Sequence, residues 1–185
     1  VGGLAILRHK VDDHNSGACR ELLRAFRPEV VVLGGTRIIQ PHILTLPSRG
    51  TVNSHPGLLP WLRGSSSVAW ALLKDLPVGS TIDFVDRGID TGAIIARRRL
   101  PIHWGMTYER IVRRTLTLSG DLMAETLARF QAGDLKAEPQ DVTAGETLRV
   151  IPPELLKAAK ARLSSGSYSH FVDGEERHES NTFST

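Results

Sequence analysis

Asn53-Ser54-His55-Pro56-Gly57 sets a carboxamide and an imidazole two residues apart at the end of a short strand-like run. On an extended strand that spacing puts both side chains on one side. Together they can donate hydrogen bonds to one developing oxyanion. Pro56 fixes the next φ and makes the exit from the strand sharp and rigid. Asp90, in Gly88-Ile89-Asp90-Thr91-Gly92, follows a second strand and turn. An Asp-Thr-Gly run between apolar residues has three readings: half of a proteolytic dyad, a turn, or an acid/base in other chemistry. The protease reading needs a symmetric second Asp and a nearly all-β chain, and this chain is rich in helical patterns. In isolation each of the three residues has a plainer use, the Asn and Asp as turn formers and the His as a hydrogen-bonded structural group. Ligands of parallel sheets sit outside the carboxyl ends of the strands, where Asn53, His55 and Asp90 could converge.

The elements that must position them follow from periodicity. Leu4 to Leu7 reads as a short strand, with Asn15 and Ser16 as N-caps of a helix carrying Ala18, Cys19, Leu22, Leu23 and Phe26. Glu29 to Gly35, "EVVVLGG", reads as a buried parallel strand, and "QPHILTLP" as a short helical turn. "GTVNSH" is a second strand, followed by a Pro/Gly-rich loop and a helix from Ser67 to Lys74. Gly79 to Val85 and Ala93 to Ile102 read as strands around an Asp86-Arg87-Gly88 turn. One long helix spans Thr107 to Ala132, with Tyr108, Ile111, Val112, Leu116, Met123, Leu127 and Phe130 as its apolar stripe. A short helix from Pro152 to Leu163 follows, and the Ser/Gly/Glu/His-rich tail from Ser164 reads as mobile. This order predicts an α/β fold.

Composition narrows the class. The 185 residues are 41% hydrophobic and 23% charged, enough for a core in one domain with a short appendage. No apolar run reaches the roughly 20 residues needed to span a bilayer, and no signal-like segment opens the chain. The lone Cys19 leaves no internal disulfide and fits a reducing, cytoplasmic setting. A net charge of +3 gives no strong case for nucleic acid. The basic runs Arg97-Arg98-Arg99 and Arg113-Arg114 are solvated faces or steer an anionic substrate.

"NSHPGLLPWLRG" and "VGSTIDFVDRGIDTGAII" together resemble the 10-formyltetrahydrofolate-dependent formyltransferase family, whose hallmark is Asn-x-His-Pro-Ser/Gly-Leu-Leu-Pro, then Arg-Gly, then a strand ending in Asp-x-Gly. The match covers roughly Val30 to Ile102. The resemblance implies a Rossmann-like, mainly parallel sheet flanked by helices, with a short helical extension at the C-terminus. It divides the chain into a catalytic domain at 1–150, a helical extension at 151–166 and a mobile tail at 167–185. Asn53 and His55 are then the catalytic oxyanion donors, and Asp90 holds the His and moves the proton. Arg37, Ile39, Val85, Asp86 and Gly88 become the folate-site residues, with Ile38 assigned to the core. The co-substrate is 10-formyltetrahydrofolate, and no metal is implied. The activity is formyl transfer to a primary amine of a small molecule, such as a nucleotide-linked amino sugar. Phosphoribosylglycinamide formylation, formyltetrahydrofolate hydrolysis and a catalytically inactive folate-binding remnant are the alternatives.

The resemblance also marks departures. Relatives begin with a strand, a helix and a strand ahead of the region equivalent to Val1, so the chain reads as N-terminally truncated. An exposed sheet edge would then invite a homo-oligomer or a partner chain. Asp83 stands where many relatives carry His, and reads as solvent-facing. The short C-terminal region lacks the basic β-barrel of tRNA-formylating relatives, which favours a small acceptor over nucleic acid.

Overall fold

The computed structural model describes residues 6–173. The chain runs α1 (Gly17–Phe26), β1 (Val31–Leu33), α2 (Pro41–Leu44), β2 (Thr51–His55), β3 (Leu62–Gly64), α3 (Ser67–Leu73), β4 (Gly79–Phe84) and β5 (Ile94–Arg99). It continues through α4 (Tyr108–Gln131), a 3-10 turn (Val142–Ala144), β6 (Glu146–Leu148) and α5 (Pro153–Ser164). The fold is α/β and Rossmann-like, a central sheet flanked by helices with a short C-terminal helix.

The central sheet has the order β1-β2-β4-β5. Strands β1 and β2 are parallel, but β4 is antiparallel to both β2 and β5. The expectation of a mainly parallel sheet is therefore corrected to a mixed one. Residues 85–93 join β4 to β5, too short a link for the parallel crossover of about a dozen residues or more. A second, two-stranded sheet pairs β3 with β6 in parallel, in a stretch that sequence patterning reads as loop.

Alternation along β2 and β4 separates two faces. Val52 and Ile82 face α4 and pack with Ile95, Leu122 and Met123. Ser54 and Ser80 join them, donating to or sharing hydrogen bonds with Ser119 at 3.3 and 2.6 Å. The buried line of α4 is Ile111, Thr115, Ser119, Leu122, Met123, Thr126 and Phe130, whereas Leu116, expected in the stripe, is 57% exposed. Small polar residues take the sheet-facing line. The Thr115 and Thr126 hydroxyls are satisfied by carbonyls one turn back, at 2.9 and 2.7 Å. The other face of the sheet carries Asn53, His55, Thr81 and Asp83, set opposite one another as Asn53↔Asp83 and His55↔Thr81.

Helices α3 and α5 close a second core around Leu62, Leu72, Ile102, Ile111, Ala159 and Leu163. The tail joins this core as far as it is described. Tyr168 is buried and donates to the Leu76 carbonyl at 2.9 Å, and Ser169 donates to Asp75 from both its backbone and its hydroxyl. Residues 167–173, expected in a mobile tail, pack on this core, with Tyr168 and Phe171 ring to edge. Residues 174–185 lie outside the described residues. At the other end Leu4 and Ala5 also lie outside them, while Ile6 and Leu7 are exposed and form no strand.

Candidate active site

Strand β2 ends in Asn53 and His55, and both side chains turn toward the 85–93 loop that folds over their face. His55 is buried. Its Nε2 lies 2.8 Å from the Leu62 carbonyl oxygen and 3.2 Å from the Ser67 hydroxyl. Its Nδ1 lies 3.4 Å from Asp90 Oδ2. Both ring nitrogens therefore have hydrogen-bonding partners within the site.

Asp90 reaches this face although β4 runs antiparallel to β2, because the loop after β4 doubles back. Several contacts fix that path. Val85 N–H donates to the Thr51 carbonyl at 2.8 Å. The Asp86 carboxylate accepts from Gly88 N–H at 2.9 Å and from the Thr91 hydroxyl at 2.6 Å. Gln140 donates to the carbonyls of Asp90 and Gly92. Gly92 packs so closely on the Phe84 carbonyl that a Cβ there would overlap it. Asp90 itself sits at φ +51°, a left-handed conformation that Asp tolerates better than most residues. In the Asp-Thr-Gly run, then, Thr91 and Gly92 build the loop and the Asp90 carboxylate is left for the site.

That carboxylate makes three contacts. Oδ2 accepts from Gly64 N–H at 2.7 Å and faces His55, while Oδ1 lies 3.5 Å from Asn53 Nδ2. Gly64 has φ +89° and sits against the Leu148 carbonyl, which a Cβ would overlap. Its neighbour Arg63 is buried and donates to the carbonyls of Pro60 and Gly145, each at 3.0 Å, and to the Thr147 hydroxyl at 3.2 Å. The Arg-Gly pair is thus structural: Arg63 ties the Pro-rich loop to β6, and Gly64 presents its N–H to Asp90.

Asp83 corrects an expectation. It is 1% exposed, not solvent-facing, because β4 is an inner strand and the loop covers this side of it. Burial, then the neighbouring Asp90 carboxylate, pushes its carboxyl up to about 8, with Asp86 adding to the rise and a hydrogen bond from Asn53 opposing it.

These residues line a cavity of about 360 Å³. Arg37, Ile39, Val85, Asp86 and Gly88 lie on its wall with Asn53, His55, Asp83 and Asp90. The Asp86 carboxylate is engaged within its own loop. Ile38 departs from its expected core position, while Ile39 lines the cavity and is also packed. Ile38 is 70% exposed at the cavity, whereas Ile39 is buried and packs with Leu33 and Ile43 while reaching the wall. Sequence reasoning missed Ser67, Gln140 and the Gly64 N–H. The Arg-Gly pair in the motif hinted at the last, and nothing local marks Gln140.

The family model described as formyl transferase matches residues 9–127. The chain belongs to the formyl transferase family. Among sequence relatives, the methionyl-tRNA formyltransferase of Janthinobacterium sp. (strain Marseille) is 36% identical over 135 residues, 72% of this chain and 43% of that protein. That of Chlorobium chlorochromatii (strain CaD3) is 32% identical over 134 residues, again 72% and 43%. The chain therefore spans less than half the length of these curated relatives. Among solved structures, glycinamide ribonucleotide transformylase 1 from Symbiobacterium toebii superposes at TM-score 0.60 with 30% identity, covering 67% of this chain and 62% of that one. The formyltransferase PseJ from Anoxybacillus kamchatkensis, solved with UDP-4,6-dideoxy-4-formamido-L-AltNAc and tetrahydrofolate, superposes at TM-score 0.58 with 28% identity, covering 65% and 62%.

Proposed function

We propose that this formyl transferase family chain carries the catalytic site of an N-formyltransferase that uses 10-formyltetrahydrofolate and a primary amine. The observation that carries the reading is the convergence of Asn53, His55 and Asp90 on one cavity, with Asp90 Oδ2 3.4 Å from the imidazole. The cavity suits the folate. Its volume lies in the range of small-molecule sites, and an apolar wall from Leu33, Ile39 and Val85 meets a polar floor. Gly35, Gly88 and Ile89 also line it.

When bound, the folate supplies the formyl group on N10. Asn53 donates to the formyl oxygen as negative charge develops there under attack by the amine, and His55, engaged here by the Leu62 carbonyl and Asp90, turns a ring N–H to the same oxygen when the folate binds. Asp90 holds the imidazole in its orientation, accepts the proton that the attacking nitrogen sheds, and returns it toward the departing N10. Gly64 N–H and Gln140 hold Asp90 in place while the proton moves.

Three acceptors fit this chemistry. The curated sequence relatives favour methionyl-tRNA. The solved relatives with 28 and 30% identity favour a small amine, either an amino sugar on a nucleotide or glycinamide ribonucleotide. Water as acceptor, giving a hydrolase, and folate binding without turnover are the remaining readings. Pairing of the β1 edge with a second copy or a partner chain belongs to the same proposal.

The test is formyl transfer from 10-formyltetrahydrofolate to each amine, followed by mass spectrometry of the acceptor. Mass gain on one amine, lost in Asp90→Asn, supports transfer and names the acceptor. Formate release without any formylated amine makes the protein a hydrolase.

A further inference from the structure

The reaction as proposed uses Asn53, His55 and Asp90 and leaves one buried polar group of the cavity without a task. Asp83 lines the cavity and is 1% exposed, and its Oδ1 has no hydrogen-bond partner. It faces Asn53 across the β2–β4 ladder, so the two side chains share a face and touch. The Asn53 carboxamide therefore lies between two carboxyl groups, Asp83 from β4 and Asp90 from the loop. The charged groups acting on Asp83 are Asp90 and Asp86, both acidic and both from the 85–93 loop. His55, from β2, faces Asp90.

We propose, resting on the formyl-transfer reading above, that Asp83 is a positioning residue that works as an uncharged acid, fixing the Asn53 carboxamide without adding a second negative charge to the site. Two physical arguments carry it. A fully buried carboxylate with one oxygen unpartnered and a second carboxylate nearby is strongly disfavoured against its neutral form. The chemistry needs that neutrality. An ionised Asp83 would take a charge-assisted hydrogen bond from Asn53 Nδ2, roughly twice as strong as a neutral one, and so withdraw the donor from the formyl oxygen. It would also place a further negative charge beside an oxygen that is itself becoming negative.

The rate should therefore fall at alkaline pH, although a free amine nucleophile alone would make it rise or level off. With the Asp83 carboxyl at about 8, wild-type kcat should drop at least about tenfold between pH 7.5 and 9.5. Asp83→Asn, an uncharged isostere, should stay within about threefold of wild type at pH 7 and lose that alkaline fall. Asp83→Ala should lose kcat with little change in KM for the folate, because the carboxamide is then unpinned. A second readout is independent of turnover. The side-chain carboxyl 13C signal that vanishes in Asp83→Asn should titrate near pH 8 in the wild-type chain.

An alkaline fall that persists unchanged in Asp83→Asn would assign it to another group and overturn the proposal. So would a 13C signal titrating in the ordinary carboxylate range. No formyl transfer at any pH, with the 13C signal still titrating near 8, would instead count against the formyl-transfer reading and leave Asp83 a buried neutral acid.

Discussion

The backbone N–H of Gly64 donates to Asp90 Oδ2 at 2.7 Å, the shortest contact that the carboxylate makes with the rest of the site. It joins the two motifs that lie 26 residues apart in the chain. It also places Asp90 against His55 rather than leaving it as an ordinary turn residue.

With Asp90 as the proposed proton carrier, its replacement should cost more than the loss of a contact. Asp90→Asn keeps the size and the Gly64 hydrogen bond but cannot take a proton. Formyl transfer should fall by roughly 10² to 10⁴, the usual range for general acid–base catalysis, while affinity for a folate analogue changes little. Single-turnover rates beside equilibrium binding separate the two effects.

Asn53 and His55, the proposed oxyanion donors, should each be worth about 3 kcal/mol in the barrier. Asn53→Ala and His55→Ala are each expected to lower kcat by about 10² to 10³. Because both residues contact Asp90, the double variant should lose less than the sum of the two, which a double-mutant cycle on kcat/KM measures.

Gly64→Ala tests the backbone support. Its φ of +89° and the Leu148 carbonyl leave no room for a methyl group, so β3 must shift and carry its N–H away from Asp90. The expected result is a loss of stability of about 1 to 3 kcal/mol, read by thermal melting, with a fall in kcat beyond what the unfolded fraction explains.

Arg63→Met should destabilise through orphaned acceptors, not through charge. The guanidinium serves the Pro60 and Gly145 carbonyls and the Thr147 hydroxyl, and Met fills the stem but none of those bonds. A loss of about 2 to 4 kcal/mol in chemical denaturation is expected, and Arg63→Lys should recover only part of it.

Stability should depend on pH through Asp83. Its carboxyl is raised from 3.8 to about 8, so between those values the folded chain binds a proton that the unfolded chain has released. The Asp83 contribution therefore falls as pH rises through that window and is least favourable above pH 8. Asp83→Asn should raise Tm, with the gain growing from pH 4 to pH 8. A gain independent of pH would contradict this assignment.

The site was more legible in the sequence than the sheet that carries it. Asn53, His55 and Asp90 stand out because their types and spacing are informative without knowing any pairing. The direction of β4 is not written in its own residues, since a buried run such as Ser80-Thr81-Ile82 fits a parallel or an antiparallel neighbour equally well. The length of the 85–93 link fixes it against β5 alone, since the 56–78 connection from β2 is long enough for either direction. Asp83 misled for a related reason: a charged residue in a strand reads as solvent-facing until the loop above it is placed. Leu116 misled because Thr115 and Ser119 hide their hydroxyls in short-range hydrogen bonds and take the core positions that apolar periodicity assigns to larger side chains. The β3–β6 pair joins short segments about eighty residues apart, with no local signal that either is a strand.

The most direct test is calorimetric titration of the folded chain with a non-hydrolysable 10-formyltetrahydrofolate analogue, with Asp90→Asn titrated beside it. The account predicts saturable binding at one site per chain in both proteins, with formyl transfer from the true co-substrate confined to the wild type. A well-folded chain that binds no folate, or equal turnover in wild type and Asp90→Asn, would contradict it.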